Sequence, residues 1–249
     1  MRALRFAVRA LMAIAWVLIG LLTIGLMFPF AGLKGRMWLK KQWSRALLWI
    51  SGIDWRVRGQ PIQSGPVLFA VNHVSWLDIF VLNCARPTTF VAKSEIRRWP
   101  LIGWLASGAD TIFIERGFRH AVHRVGLAIQ ARFARGQAVG LFPEGTTSEG
   151  FDLLPFYANL FEPAIQSGVT VQPVALRFYH QGQRSGHAAF VGEQTLIANI
   201  WRVFSEGGVM IEMVFLPPAW DGLAPAPKRA DLAKHTRQLI RPALDPARD

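Results

Sequence analysis

The chain has 249 residues, 51% of them apolar, with one cysteine and a formal net charge of +12. That length accommodates one substantial α/β domain plus an appendage, and a single cysteine excludes a disulfide framework or a cysteine-based metal site. The charge is concentrated: residues 1–50 carry eight basic residues and no acidic one, leaving 20 basic and 16 acidic residues for the rest.

Residues 10–33, ALMAIAWVLIGLLTIGLMFPFAGL, contain no charge. As a helix this run reaches about 36 Å, against about 30 Å of bilayer hydrocarbon. Arg2, Arg5 and Arg9 precede it, and a second basic cluster with Trp38 and Trp43 follows. The run is too long for a cleaved signal peptide, and cations follow it where a small-residue cleavage site would stand. Two geometries stay open. A single span would be kinked near its end by Pro29, and its two positive flanks give no orientation. A helical hairpin lying in one leaflet would take RMWLKKQWSRALLWISGI as its second arm, with mixed apolar and basic faces. Basic residues beside an apolar run and tryptophan suit anionic lipid headgroups better than nucleic-acid phosphates. Residues 1–51 are therefore expected to be a membrane-anchoring helical segment.

Residues 52–216 alternate short apolar runs with helical periodicity, which predicts an α/β fold with a mostly parallel sheet flanked by helices. Strands are expected at 66–71, 111–116, 138–142, 169–176 and 209–216. Val122, Val125, Ile129 and Phe133 form the apolar stripe of a crossover helix. Residues 217–249 read as a Pro/Ala-rich connector, a short basic helix over 228–241 and a loose tail.

The first three strands each run into polar residues: NHVSWLD after the first, ERG after the second, PEGTTS after the third. Ligands of open parallel sheets bind beyond the carboxyl ends of the strands. Parallel pairing would thus gather His73, Asp78, Arg116 and Glu144 at one rim. His73 and Asp78 are about 140° apart on a continuous helix and would not share a face. They meet only if His73 is in the loop and Asp78 in the first helical turn. Ser75 as N-cap with Asp78 at N3 would supply that break. On a bland reading, Asp78 only caps the helix and His73 is a satisfied loop histidine. On the functional reading, the carboxylate fixes the imidazole tautomer and leaves the other nitrogen basic. No G-x-S-x-G nucleophile is present, and Cys84 falls in the following helix. The attacking hydroxyl would then come from a substrate, which favours transfer to an alcohol. Glu144, Gly145, Thr146 and Thr147 offer polar contacts and close backbone approach, and the Arg116 guanidinium could hold a phosphate.

NHVSWLD resembles the N-H-x-S-x-x-D block of the glycerolipid acyltransferase family, which includes the 1-acylglycerol-3-phosphate and lysophospholipid acyltransferases. VAKSEIRRWPLIGWLASGADTIFIERG (91–117), FPEGTTS (142–148) and VQPVAL (171–176) are similar to three further blocks in the same order. The resemblance implies transfer of an acyl group from acyl-CoA or acyl carrier protein to a lysolipid hydroxyl at a membrane. His73 would be general base and Asp78 its orienter. Arg116, Glu144, Gly145, Thr146 and Thr147 would bind the acceptor, and Lys93 would help hold phosphate. No cofactor and no metal is implied, and no nucleic acid is a partner. The implied place is the cytoplasmic side of the inner membrane. Thr147 departs from the arginine usual in phosphatidate-forming members, removing a charge-assisted contact of about 1.5–3 kcal/mol. Lysophosphatidate is the default acceptor; lyso-ornithine lipid or another lysophospholipid is the alternative. A lipid hydrolase or a non-catalytic lipid-binding protein is a remote one. The segment RRWPLIGWLA (97–106) reads as an acyl-chain channel, a second membrane contact or a plain core helix.

Overall fold

The long apolar run forms helix α1 (Arg2–Leu26), and after a break around Pro29 the chain continues as α2 (Leu33–Ser51). The computed structural model describes residues 1–115 and 119–245, with the side chains of residues 119–122 outside the description. The two helices form a hairpin. Trp16 and Trp43 stack at 6.5 Å, and each indole N–H donates to the other residue's carbonyl, at 3.0 and 3.2 Å.

The hairpin lies along the globular domain. Phe6 packs on Trp201 at 4.4 Å, and the Arg9 guanidinium donates to the Phe204 carbonyl at 3.0 Å. Further along, a Cβ on Gly20 would be 2.6 Å from the Trp43 indole, and one on Gly108 would be 2.5 Å from Ile24. Close helix packing therefore needs both glycines. Lys41 donates to the Ala85 carbonyl at 3.0 Å, tying α2 to the domain. The opposite face of the hairpin exposes Leu11, Leu22, Leu26, Trp38 and Trp49. Segment 97–106, for which a core helix was one reading, exposes Trp99, Leu101, Ile102 and Trp104.

The sheet follows. Its strands are β1 (Ile53–Arg58), β2 (Val67–Val71), β3 (Thr88–Lys93), β4 (Ile112–Ile114), β5 (Ala138–Leu141), β6 (Val171–His180), β7 (Gln183–Arg184) and β8 (Val209–Phe215). Spatial order is β1-β8-β6-β2-β5-β3-β4, with β7 paired to β6. Strands β2 to β6 run parallel, β8 is antiparallel to β6, and β1 is parallel to β8. Helices α3 (Leu77–Ala85), α4 (Ile102–Gly108), α5 (Arg119–Phe133), α6 (Glu162–Gln166), α7 (Leu196–Glu206) and α8 (Arg229–Ile240) complete the fold.

Strand β2 is buried on both faces, and the alternation of its side chains divides the core in two. Val67, Phe69 and Val71 point to the layer of α2, α3 and α7, with Leu48, Val81 and Val203. Leu68 and Ala70 point to the layer of α5 and α8, with Ile129, Phe133 and Leu232.

Three strands escape the sequence pattern, the shortest being the two-residue β7. β1, IDWRVR, is an edge strand with three charges and mostly exposed positions. β3, TTFVAK, opens with two threonines. The end of the chain also differs from expectation. Leu244 is buried, and the Ala243 carbonyl accepts from buried Arg177 at 2.6 Å, so residues 242–245 pack on the domain. Arg177 also pairs with Glu212 across β6 and β8 at 3.1 Å, and Tyr179 and Arg56 share that carboxylate. Buried in a low dielectric, such charges persist only when each lone pair and proton is met.

Candidate active site

The carboxyl ends of β2, β3, β4 and β5 lie at one rim because these strands are parallel. Past Val71, the Asn72 amide accepts from the Leu176 N–H at 2.7 Å and donates to its carbonyl at 3.1 Å. This two-point tie fixes where the chain leaves the sheet. His73 follows in the loop, and Asp78 stands in the first turn of α3.

Asp78 is fully buried, and its Oδ2 accepts three hydrogen bonds: His73 Nδ1 at 2.7 Å, Val74 N–H at 2.8 Å and Ser75 N–H at 3.0 Å. The carboxylate therefore both holds the imidazole and satisfies two N–H groups ahead of the helix. The expected Ser75 cap needs correction. The residue preceding the helix is Trp76, and the Ser75 hydroxyl is buried with no partner among the described residues. Only the carboxylate half of the capping box forms, because one aspartate oxygen already covers both N–H groups.

One face of the imidazole is held by a stack of rings. Phe142 stacks on it at 4.0 Å and 15°, and Phe90 stacks behind Phe142 at 5.9 Å and 8°. Gly140 makes room for Phe90, since a Cβ there would meet its ring at 2.5 Å. The His73 side chain is 21% exposed, and its Nε2 has no hydrogen-bond partner among the described residues. A histidine whose Nδ1–H is held by a carboxylate presents a basic Nε2.

Glu144 is buried, and both of its oxygens are engaged. One accepts the His73 N–H at 2.8 Å and the other the Leu154 N–H at 2.9 Å. Burial raises its pKa; the two N–H groups and His73 oppose that shift, and Asp78 adds to it. Its direct contacts thus join the loop that carries His73 to the main chain at Leu154. Gly145 turns with φ +69°, a conformation favouring glycine, and a Cβ there would meet the Tyr157 ring at 2.7 Å. The Ser148 N–H donates to the His73 carbonyl at 2.8 Å. Thr147 donates its hydroxyl to the Phe190 carbonyl, and Phe190 N–H donates to Val74 at 2.9 Å. Thr146 is exposed, as is Lys93 at the end of β3. Arg116 lies outside the described residues.

Cys84 is buried in α3, and burial pushes its thiol up to about 12, against the pull of Arg45 and Lys41. It is unsuited to act as a nucleophile. Asn72, Phe142 and Phe90 support His73 without having been singled out from the sequence. The first two lie inside the motif blocks; Phe90 carries no sequence signal, since only the sheet order places it beneath Phe142. The side chains of His180, His187 and Glu206 meet elsewhere.

Comparison with known proteins identifies the family and the fold. The family model described as Acyltransferase matches residues 54–177, which run from β1 to β6. The chain is 36% identical to the lyso-ornithine lipid O-acyltransferase of Pseudomonas aeruginosa over 211 residues, 84% of this chain and 79% of that protein. It is 40% identical to the 1-acyl-sn-glycerol-3-phosphate acyltransferase of Neisseria gonorrhoeae over 161 residues, 64% of this chain and 63% of that protein. The crystal structure of the 1-acyl-sn-glycerophosphate acyltransferase PlsC from Thermotoga maritima superposes with a TM-score of 0.71 at 20% identity. That match covers 98% of this chain and 96% of the other, and it shows a common fold. With a relative 36% identical over 79% of its length and a family model matching residues 54–177, which include His73 and Asp78, the chain belongs to the acyltransferase family and is an enzyme of that kind.

Proposed function

We propose that the protein transfers a fatty acyl group from an acyl thioester, acyl-CoA or acyl carrier protein, to the free hydroxyl of a lysolipid, with His73 as general base. The observation that carries this reading is the 2.7 Å contact between His73 Nδ1 and Asp78 Oδ2. Asp78 keeps the proton on Nδ1, so Nε2 takes the hydroxyl proton as the oxygen attacks the thioester carbonyl. The C–S bond breaks and the thiolate leaves, recovering a proton from the imidazolium. The acceptor supplies its own nucleophile, so no covalent enzyme intermediate is required.

Lysophosphatidate is one acceptor, with Lys93 and Arg116 as phosphate partners. A second acceptor, lyso-ornithine lipid, is favoured by Thr147, an uncharged side chain in the FPEGTTS turn. Similarity to the named lyso-ornithine lipid acyltransferases also extends over more of the chain, 84% against 64%.

The anchor suits a bilayer-resident acceptor. α1 is 25 residues long with a mean hydropathy of 2.2 over its best window, enough to cross a membrane by length and composition. Yet it touches the domain from Phe6 to Ile24, about 27 Å of its axis. A helix held to the domain over that length favours a hairpin lying along one leaflet, its exposed leucines and tryptophans in the acyl layer. Soluble thioester donors favour a domain on the cytoplasmic side of the inner membrane.

The test is initial-rate incorporation of labelled acyl-CoA into a panel of lysolipids. His73→Ala should lower transfer by about 10²–10⁴-fold while the protein still folds, with a melting temperature lowered only by the hydrogen bond that Asp78 loses. Wild-type rates in that variant would remove His73 from the chemistry, and release of free fatty acid without an acceptor would point to a hydrolase.

A further inference from the structure

We propose that the groove between the start of α1 and the end of α2 binds one anionic phospholipid of the surrounding leaflet. Its phosphate would lie on Arg5 and Arg9, and an acyl chain along Leu4, Val8, Met12 and Trp49. The site presupposes that α1 lies along one leaflet, and it is independent of the chemistry at His73.

The groove, about 460 Å³ in volume, is walled by the chain from Met1 to Met12 on one side and by Trp49 and Ile50 on the other. Leu4, Val8 and Met12 recur at four-residue intervals, and so do Arg5 and Arg9. One side of α1 therefore presents an apolar row and a cationic row next to each other. Leu4 and Trp49 are 71% and 73% exposed, apolar surface that an acyl chain would remove from water. Leu4, Val8 and Leu11 also begin the exposed stripe that continues through Leu18, Leu22 and Leu26. The groove thus opens on the face already assigned to the acyl layer.

The polar end is built by the fold. Arg9 donates through Nη1 to the Phe204 carbonyl, and Arg5 through Nη1 to the Ser205 and Glu206 carbonyls. A guanidinium has five N–H donors, and the Nε and Nη2 groups of both arginines have no hydrogen-bond partner among the described residues. A Cβ on Gly207 would be 3.5 Å from both terminal nitrogens of Arg9 and 3.7 Å from one of Arg5, so the two guanidiniums converge. Gly52 makes this possible, because a Cβ there would collide with the Arg9 guanidinium. Arg2 pairs with Glu206 at 3.3 Å. Three guanidiniums thus share one carboxylate, and the surplus is positive. A phosphodiester supplies the missing negative charge and offers two oxygens to planar donors. A soluble anion would use the cationic row alone. The apolar row beside it selects an amphiphile.

The position has a consequence for the domain. α2 ends at Ser51 and β1 begins at Ile53. Strand β1 runs opposite to β2, so the groove lies at the rim that carries His73, three strands away. A phospholipid held there would keep that rim against the leaflet.

The test uses the full chain, delipidated in a mild non-ionic detergent. Native mass spectra are recorded on titration with phosphatidylglycerol and, separately, with phosphatidylcholine of the same acyl chains. Wild type should retain one phosphatidylglycerol per chain, at least about fivefold more tightly than phosphatidylcholine. Arg5→Gln and Arg9→Gln should each weaken that retention about fivefold, the effect of one cation near an anionic headgroup. Val8→Glu, at a half-exposed position, should abolish the preference by setting a carboxylate in the groove. Equal retention of both lipids by wild type overturns the proposal, and so does unchanged retention in all three variants. Glycerophosphoglycerol, the headgroup without chains, should not compete; effective competition would show a plain phosphate site and overturn the lipid assignment. Sedimentation with neutral liposomes reads the anchor by itself. No sedimentation removes the leaflet reading and this site together, whereas sedimentation without retained phosphatidylglycerol removes this site alone.

Discussion

The Glu144 carboxylate accepts the main-chain N–H of His73 at 2.8 Å while its other oxygen accepts that of Leu154 at 2.9 Å. The acidic residue of the FPEGTTS turn thereby clamps the loop of the NHVSWLD block. Two sequence blocks 71 residues apart are joined by one buried side chain.

Glu144→Gln tests this clamp. An amide has one acceptor oxygen, so one N–H faces an NH₂ group and loses its bond, at a cost of about 1–3 kcal/mol. Urea unfolding should show that loss, with activity falling alongside because His73 is no longer held. The pH dependence has a defined sign. Burial raises the Glu144 pKa, so the folded state keeps a proton that the unfolded state has released. This residue's contribution to stability is therefore fully present below the ordinary carboxylate value and declines as pH rises through the raised one. The variant should lack that slope. Identical stability–pH curves for both proteins would show that Glu144 does not titrate differently on folding.

Gly140 sets the height of the stack beneath His73. A valine there would press on Phe90, which lies behind Phe142, which lies against the imidazole. Gly140→Val should cost about 1–3 kcal/mol by overpacking and slow acyl transfer beyond what lost stability explains. A destabilised variant with wild-type turnover would show that the stack does not position His73.

Cys84 should be silent. With its thiol pushed up to about 12, only about one molecule in ten thousand is thiolate at pH 8, and the side chain is 1% exposed. Maleimide should label the native enzyme negligibly and the urea-unfolded chain stoichiometrically. Rapid labelling of the native protein would contradict the burial of α3.

Thr147→Arg should shift acceptor choice toward lysophosphatidate. A guanidinium–phosphate contact contributes about 1.5–3 kcal/mol, equivalent to roughly tenfold or more in the ratio of specificities. The wild-type threonine instead gives its hydroxyl to Phe190. An unchanged ranking across the lysolipid panel would remove position 147 from headgroup selection.

Much of this protein is legible along the chain. An apolar run flanked by cations signals the anchor whatever the rest does, because length and hydropathy are local quantities. Buried strands such as VLFAV are continuous apolar runs, and the spacing of His73 and Asp78 across a helix start is likewise local. What tertiary structure decided are the matters that depend on distant partners. The edge strand β1 and the threonine-led β3 gain their identity from the strands they pair with, since their own side chains resemble those of loops. Glu144 reads as a rim group until folding brings the His73 and Leu154 amides to its two oxygens. Residues 242–245 pack on the domain because buried Arg177 needs the Ala243 carbonyl. The fastening of α1 along the domain, and the meeting of His180, His187 and Glu206, arise only when α7 and β6 are brought side by side. Sequence specifies which groups are present, and the three-dimensional fold specifies which of them share a low-dielectric space and must satisfy one another.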